Sequence, residues 1–167
     1  FVVRGTPYDL THLDPFVMTV RPQTQGAPIM RVLVTSGCHC FTRDVEPMDH
    51  VDFEFPDGKR AVRTFCPVRH GWSQDLPRLV RDARNDYAYS SRQQNFLLVK
   101  PRAGGVPYTV FFNILRKNSK KLSAVMSVVS AYEKPKLPAE LPAMPFVALV
   151  GNTAMKRPIK VGPLRKW

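Results

Sequence analysis

Long apolar runs are absent from this chain of 167 residues, because Pro, Lys, Arg or Asp interrupts every apolar stretch. None of these stretches approaches the roughly 18 consecutive apolar residues that a bilayer crossing requires. Residues 1–5 also lack the basic region followed by an apolar region that marks a secretory signal. We therefore expect neither a membrane-spanning helix nor a signal peptide in the sequence, and no membrane partner.

Cysteine is also scarce. The three residues Cys38, Cys40 and Cys66 cannot all pair within one chain. A secreted disulfide scaffold normally carries an even and larger number of cysteines. The sequence therefore predicts a protein of a reducing compartment, and we assign it to the cytoplasm.

The composition that is present favours one globular domain over residues 1–167. Hydrophobic residues make up 44% of the chain and charged residues 23%, which is enough apolar material for a core and too little charge for a disordered chain. We divide this domain into N-terminal strands and a hairpin (1–72), a helix with a meander (73–150) and a basic extended tail (151–167).

The N-terminal part shows the alternation and the β-branched composition of strands. Residues 16–20 predict an edge strand, and residues 30–35 predict a strand that runs into residues 38–42. Residues 51–55 alternate strictly, and residues 56–59 supply a turn before the chain returns over residues 61–65. We interpret the last pair as a hairpin.

One helix is predicted after Ser73 or Asp75, either of which can cap it. Its apolar residues recur at i, i+3, i+4 and i+7, and they are Leu76, Leu79, Val80 and Ala83. Beyond residue 85 the apolar period changes to two, which predicts four strands at 95–100, 108–115, 122–132 and 146–150. The expected fold is therefore α+β, with one main helix packed on a four-stranded antiparallel meander and additional N-terminal strands and a hairpin.

Acidic residues are scarce in the second half of the chain. Residues 1–83 hold ten Lys and Arg and ten Asp and Glu, whereas residues 84–167 hold fifteen basic and three acidic residues, so the whole net charge of +12 lies there. Such a field attracts polyanions, and nucleic acid is the leading partner class, followed by anionic lipid or an acidic protein. The basic residues predicted to bind it are Lys100, Arg102, Arg116, Lys117, Lys120 and Lys121. A basic surface that serves only solubility is the alternative.

A zinc site is a second possibility. On an extended segment Cys38 and Cys40 point to one side, and Cys66 with His70 could complete a Cys₃His set. Structural zinc sites favour two residues between paired cysteines, whereas this chain has one. We therefore predict no metal and no cofactor, and keep zinc as an alternative.

Metal-independent cleavage of RNA is a third possibility. It needs a base, an acid and groups that stabilise charge on phosphorus, and histidine suits both proton transfers. His39 follows a predicted strand and His70 precedes the predicted helix, so either could stand at the rim of a sheet. His12 and His50 lie in polar turns and are interpreted as surface residues. Structural hydrogen bonding of His39 and His70 is the alternative.

Residues 73–150 resemble the barnase, EndoU, colicin and RelE-like superfamily of small ribonucleases, many of which are bacterial or phage toxins. The likeness rests on one helix followed by a meander, on the strings at 95–99, 108–112 and 128–132, and on the basic surface. The resemblance implies catalytic roles for Arg92, Ser130 and Tyr132, assisted by His39 or His70. Residues 36–42 and 65–70 also look like uncharacterised proteins of phages and prophages.

Three functions follow as hypotheses. The first is a nucleic-acid-interacting protein, with RNA as the leading partner, that acts as a metal-independent endoribonuclease of the toxin type, for which a protein antitoxin would be a further partner. The second is a non-catalytic basic protein that binds nucleic acid or a host protein. The third is an interaction module held together by zinc.

Overall fold

The computed structural model describes residues 1–22, 26–56, 62–91, 96–101, 105–117 and 119–167. Its helices are α1 (Pro67–Ser73), α2 (Leu76–Asp82) and α3 (Phe146–Ala154), and short 3-10 turns lie at Thr11–Leu13, Val51–Phe53 and Ala83–Asn85. The strands of the first half are β1 (Val2–Val3), β2 (Thr6–Pro7), β3 (Phe16–Val20), β4 (Met30–His39), β5 (Thr42–Arg43), β6 (Glu54–Pro56) and β7 (Val62–Phe65). Those of the second half are β8 (Tyr87–Ser90), β9 (Phe96–Lys100), β10 (Tyr108–Arg116), β11 (Ala124–Glu133), β12 (Glu140–Pro145) and β13 (Leu164–Lys166).

The α+β class is confirmed, but the main sheet is larger than predicted. It has eight strands in the order β13-β12-β8-β9-β10-β11-β4-β3. All neighbours in it are antiparallel except β4 and β11, which are parallel. Strands from the N-terminal part therefore belong to the same sheet as the basic second half, and the four-stranded meander is not a separate unit.

The segment at 146–150 is a helix and not the predicted strand. Pro145 stands at its N-cap position with extended backbone angles, and the chain then winds as α3. Phe146, Leu149 and Val150 are buried at helical spacing, and the Phe146 ring lies 6.0 Å from that of Phe112 on β10. An apolar run of five residues fits a buried strand and a buried helix equally well, so its pattern did not distinguish them.

Other differences from the predicted elements are local. Residues 51–53 form a 3-10 turn, so the first strand of the hairpin is only β6, although it does pair antiparallel with β7. The predicted helix is α2, which begins at Leu76, and α1 before it was not predicted. Asp75 occupies the N-cap position of α2 without a capping hydrogen bond. Part of the basic tail forms β13, which pairs with β12.

Each face of the main sheet carries a hydrophobic cluster. The larger one packs α2 and α3 against alternate residues of the central strands, such as Val110 and Phe112 of β10. The smaller one lies around Leu97 and Val99 of β9 and is covered by Trp167. None of the helices in the described ranges has the length and apolarity needed to span a bilayer.

Candidate functional site

Strands β5, β7 and β6 form a separate three-stranded sheet, and its two arginines are both paired with aspartates. Arg43 forms an ion pair with Asp49, and Arg63 Nη1 donates to Asp44 Oδ1 at 2.7 Å. Hydrogen bonds from Arg43, and after it from the Glu46 N–H and the Thr64 hydroxyl, together lower the pKa of Asp49 to about 2. Both arginines of this sheet are therefore paired with aspartates, and neither presents uncompensated positive charge to a polyanion.

Charge pairing is sparse in the second half because acids are few. Lys100 Nζ donates to Asp86 Oδ2 at 2.6 Å, and the Tyr87 backbone N–H donates to Asp86 Oδ1 at 2.8 Å. Burial raises the pKa of Asp86, but the hydrogen bonds from Lys100 and Tyr87 outweigh it, so that the pKa lies below its usual value. Lys100, predicted to contact nucleic acid, is therefore engaged with Asp86.

Two adjoining cavities form a groove around the C-terminal end of α3, and we call it the α3 groove. The smaller cavity, of about 230 Å³, lies between the start of β4, the β10–β11 hairpin and the end of α3. The larger, of about 670 Å³, lies between α3 and the turn that precedes β8. Pro22 and Met155 line both cavities and join them.

Four cations line the α3 groove. Arg116 and Lys117 stand at the smaller cavity, and Arg84 and Arg157 at the larger one. No carboxylate in the described part of the chain forms an ion pair with any of the four. Asp86 is the only acidic residue among the described lining residues, and Lys100 already balances it. The groove therefore presents uncompensated positive charge along its length.

The backbone at the end of α3 sets the position of Arg157. Lys156 adopts a positive φ of 54°, which reverses the chain after the helix. The Arg157 N–H then donates to the carbonyl of Asn152 at 2.8 Å, in the last turn of the helix. Sequence reasoning missed Arg84 and Arg157, and the only signal that pointed to them was the excess of positive charge in residues 84–167.

The predicted cations of the β10–β11 hairpin divide into two groups. Arg116 and Lys117 line the α3 groove, whereas Lys120 and Lys121 are exposed and line neither of its cavities. The Lys117 N–H donates to the Ser123 carbonyl at 3.0 Å and so closes the base of the hairpin. The predicted residues Arg92 and Arg102 lie outside the described residues.

The β4–β11 pairing brings three of the predicted catalytic residues to one end of the sheet. Ser130 of β11 is in register with His39 of β4, and Tyr132 follows two residues later. The register shifts beside this pair, where a Cβ on Gly37 would lie only 3.2 Å from the Val129 carbonyl oxygen. A larger residue at position 37 would crowd that backbone, so glycine permits the close approach.

Arg69 of α1, which sequence reasoning missed, lies against the same end of the sheet. Its guanidinium carbon is 4.8 Å from the centre of the Tyr132 ring, and Tyr132 stacks on Phe111 with ring centres 5.3 Å apart. Arg69 Nη1 also donates to the carbonyl of Thr42 at 2.6 Å. A cation, a stacked aromatic pair and His39 are therefore neighbours at this end.

His70 has different surroundings. Its Nε2 lies 2.8 Å from the Asp9 carbonyl oxygen, and its ring packs against Tyr8 and His12. His12, interpreted from the sequence as a surface residue, is half-buried, with its Nε2 2.7 Å from the hydroxyl of the buried Ser73. Ser73 Oγ donates to the His70 carbonyl at 2.8 Å, so it accepts from His12. His70 thus anchors the N-terminal segment.

The cysteines are free thiols in this structure. Cys40 is buried, and that burial raises its pKa to about 12, whereas Cys38 and Cys66 are half-buried. Across the described residues, no three His, Cys, Asp or Glu side chains are grouped so that they could hold a metal ion, and the alternative set of Cys38, Cys40, Cys66 and His70 is not assembled.

Comparison with known proteins identifies a family. The family model described as the YjaZ family matches residues 1–154. No curated protein and no solved structure matches the chain. The likeness to small ribonucleases that the sequence pattern indicates stays a prediction.

Proposed function

The chain belongs to the YjaZ family, and we propose that it binds a nucleic acid in the α3 groove. One observation carries the proposal. Arg84, Arg116, Lys117 and Arg157 line the two adjoining cavities of this groove, and no carboxylate of the described residues forms an ion pair with any of them. Uncompensated cations spaced along a groove suit a ligand that carries repeated negative charge.

The lining between the cations favours a nucleic acid over a simple polyanion. Met155, Pro22 and Val147 give the groove apolar walls, against which the faces of bases can pack. Phosphates would meet the cations at either end, while the middle of the groove takes up apolar surface. Polyphosphate carries the negative charges but has no apolar surface that could pack against these walls.

Binding should depend on salt, because each neutralised phosphate releases counterions. We expect labelled RNA or DNA to bind with a logarithmic salt slope that falls by roughly 0.7 to 0.9 for each phosphate contact removed. Fluorescence anisotropy between low and moderate salt measures the slope. The test variants are Arg116→Gln/Lys117→Gln at one end of the groove and Arg84→Gln/Arg157→Gln at the other.

A matched control removes the same charge elsewhere. Lys136→Gln/Lys160→Gln lowers the net charge equally, and both lysines are exposed and line neither cavity. The proposal expects this control to bind almost as wild type does. Equal losses in the control and in the groove variants would show that the net charge, and not the groove, attracts the ligand.

Metal-independent cleavage of RNA is a second candidate function, which the pairing of Ser130 with His39 and the neighbouring Tyr132 and Arg69 favour. In such a reaction the 2′-oxygen loses its proton to a base and attacks phosphorus, while the P–O5′ bond breaks and the leaving oxygen gains a proton. His39 is the candidate base, Tyr132 the candidate acid, and Arg69 a cation for the charge on phosphorus.

Cleavage is tested with labelled RNA in EDTA. The candidate predicts products with wild type and a loss of roughly a hundredfold or more in His39→Ala, since general base catalysis contributes about 10²–10⁴. His50→Ala serves as the control, because His50 lies in the loop before the 3-10 turn at Val51–Phe53. An absence of products with wild type, or equal rates in both variants, would leave binding as the function.

A further inference from the structure

The smaller cavity of the α3 groove has a more apolar lining than a phosphate site needs. Ile29 and Met155 stand at its rim with 52% and 43% of their surfaces exposed, and Met30 and Leu122 lie with them in its lining. Isolated apolar residues on a surface are ordinary, but several that converge on one cavity mark a site for an apolar ligand surface.

The charged side chains that line this cavity all come from the β10–β11 hairpin. Arg116 and Lys117, at the end of β10 and the start of the hairpin, supply two cations, and none of the described lining residues is acidic. A ligand that fits must therefore carry negative charge next to a flat or compact apolar group. A nucleotide has this combination, with a phosphate beside a base.

The cavity walls are held in place before any ligand arrives. The Ser123 N–H donates to the Arg31 carbonyl at 2.8 Å, and the Arg31 N–H donates to Ser123 Oγ at 3.2 Å, which ties the hairpin to β4. Met155 lies at the end of α3, where its N–H donates to the Gly151 carbonyl at 3.0 Å. A preformed cavity adds affinity because little ordering is needed on binding.

We infer that the smaller cavity receives an unstacked nucleobase, so that the α3 groove binds single-stranded nucleic acid in preference to duplex. This inference rests on the proposed function and deepens it. Bases in a duplex are paired and stacked, so none can enter a cavity without being extruded first. A single strand can insert a base between Ile29 and Met155, and the thioether of methionine packs well on an aromatic ring. Arg116 and Lys117 then bind the flanking phosphates.

The first experiment compares five probes by fluorescence anisotropy or competition. They are a single-stranded 12-mer as RNA and as DNA, the same backbone with abasic sites, the duplex, and inorganic polyphosphate. We expect the single strands to bind at least about fivefold more tightly than the abasic strand and the duplex, because contact with one base contributes roughly that much or more. The salt slopes of the abasic and the normal single strand should be equal.

The second experiment removes the walls of the cavity. Ile29→Ala/Met155→Ala shortens two partly exposed side chains, so the fold should tolerate it, and circular dichroism checks that it does. We expect this variant to lose the preference for the normal strand over the abasic strand while its salt slope stays that of wild type. The matched control is Ile159→Ala/Met48→Ala, which shortens exposed residues of the same types outside the groove and should keep the preference.

The outcomes separate the two proposals. In one outcome, binding depends on salt and is weakened by Arg116→Gln/Lys117→Gln, but the affinities for the normal, abasic and duplex probes are equal. This result overturns the base cavity and leaves the proposed function standing. Polyphosphate that competes as well as the single strand also overturns the base cavity. Binding of none of the probes overturns both proposals.

Discussion

Lys100 Nζ lies 2.6 Å from Asp86 Oδ2, and this ion pair balances the only acid among the described residues that line the α3 groove. The lysine stands on β9 and the aspartate in the turn before β8, so neighbouring strands bring them together. Lys100 therefore affects a groove ligand through Asp86.

We predict that Lys100→Gln weakens nucleic-acid binding because it leaves the Asp86 carboxylate uncompensated in the groove. Asp86→Asn should strengthen binding by a few fold, since one negative charge is removed while the side chain can still accept the hydrogen bond of the Tyr87 N–H. Anisotropy with a labelled single strand measures both. In the Asp86→Asn background, Lys100→Gln should have little further effect, and an undiminished effect there would mean that Lys100 contacts the ligand directly.

The stability of the fold should fall between pH 7 and pH 5 because of His12. Burial, and after it the charge of His70, lowers the pKa of His12 below the 6.5 of a free side chain, and Asp9 opposes this only in part. The unfolded chain then binds more protons than the folded one as the pH drops through 6.5, so the free energy of unfolding decreases. Urea unfolding at several pH values measures this.

His12→Gln is the comparison for that series, since glutamine can still donate to the Ser73 hydroxyl. We expect a flatter dependence of the free energy of unfolding on pH in the variant between pH 7 and pH 5. An identical slope in wild type and variant would show that His12 does not titrate differently in the two states. The pKa of Asp9 is lowered mainly by the hydrogen bond from the Thr11 N–H, so Asp9 should change the free energy of unfolding only below about pH 4.

Cys40 should resist alkylation in the folded protein. Burial raises its pKa to about 12, so almost none of it is thiolate at pH 8, and the thiolate is the nucleophile. Iodoacetamide should modify no more than the half-buried Cys38 and Cys66 before urea is added, and all three cysteines afterwards. Peptide mapping by mass spectrometry identifies the sites, and rapid modification of Cys40 under native conditions would contradict the prediction.

Phe146→Ala should destabilise the fold by roughly 3–5 kcal/mol, the usual cost of removing a buried aromatic side chain. Phe146 is fully buried on α3 and packs against Phe112 of β10, so its loss leaves a cavity between the helix and the sheet. Leu115→Ala on the same strand is the control, because Leu115 is 70% exposed and its loss should cost no more than about 0.5 kcal/mol. Urea unfolding compares the two, and similar costs would place Phe146 outside the core.

The sequence predicted those helices and strands whose apolar residues recur at a regular spacing within one stretch of the chain. The alternation over residues 108–115 predicted β10, and the spacing of Leu76, Leu79 and Val80 predicted α2. Residues 146–150 were predicted wrongly because a short apolar run has no period and Gly151 resembled a stop. In the structure Gly151 lies inside α3, where a Cβ would be in ordinary contact with Met155 and Met30. Packing against the sheet outweighs the low helix propensity of glycine there.

The candidate sites depend on contacts that no local pattern encodes. His39 and Ser130 become neighbours only through the parallel pairing of β4 with β11. Arg84 and Arg157 line the same cavity only because α3 ends near the turn before β8. The uneven distribution of charge indicated the half of the chain that holds the groove. It could not indicate which cations share it, because that depends on tertiary packing.

The parallel seam between β4 and β11 has a consequence for biosynthesis. Thr35 and Ser127, whose hydroxyls meet across it, are 92 residues apart in the chain. A nascent polypeptide that has emerged only as far as β10 therefore presents β4 with one strand edge unfilled, and such edges invite misassociation. The eight-stranded sheet can therefore be completed only after β11 has been synthesised, because β11 lies between β10 and β4.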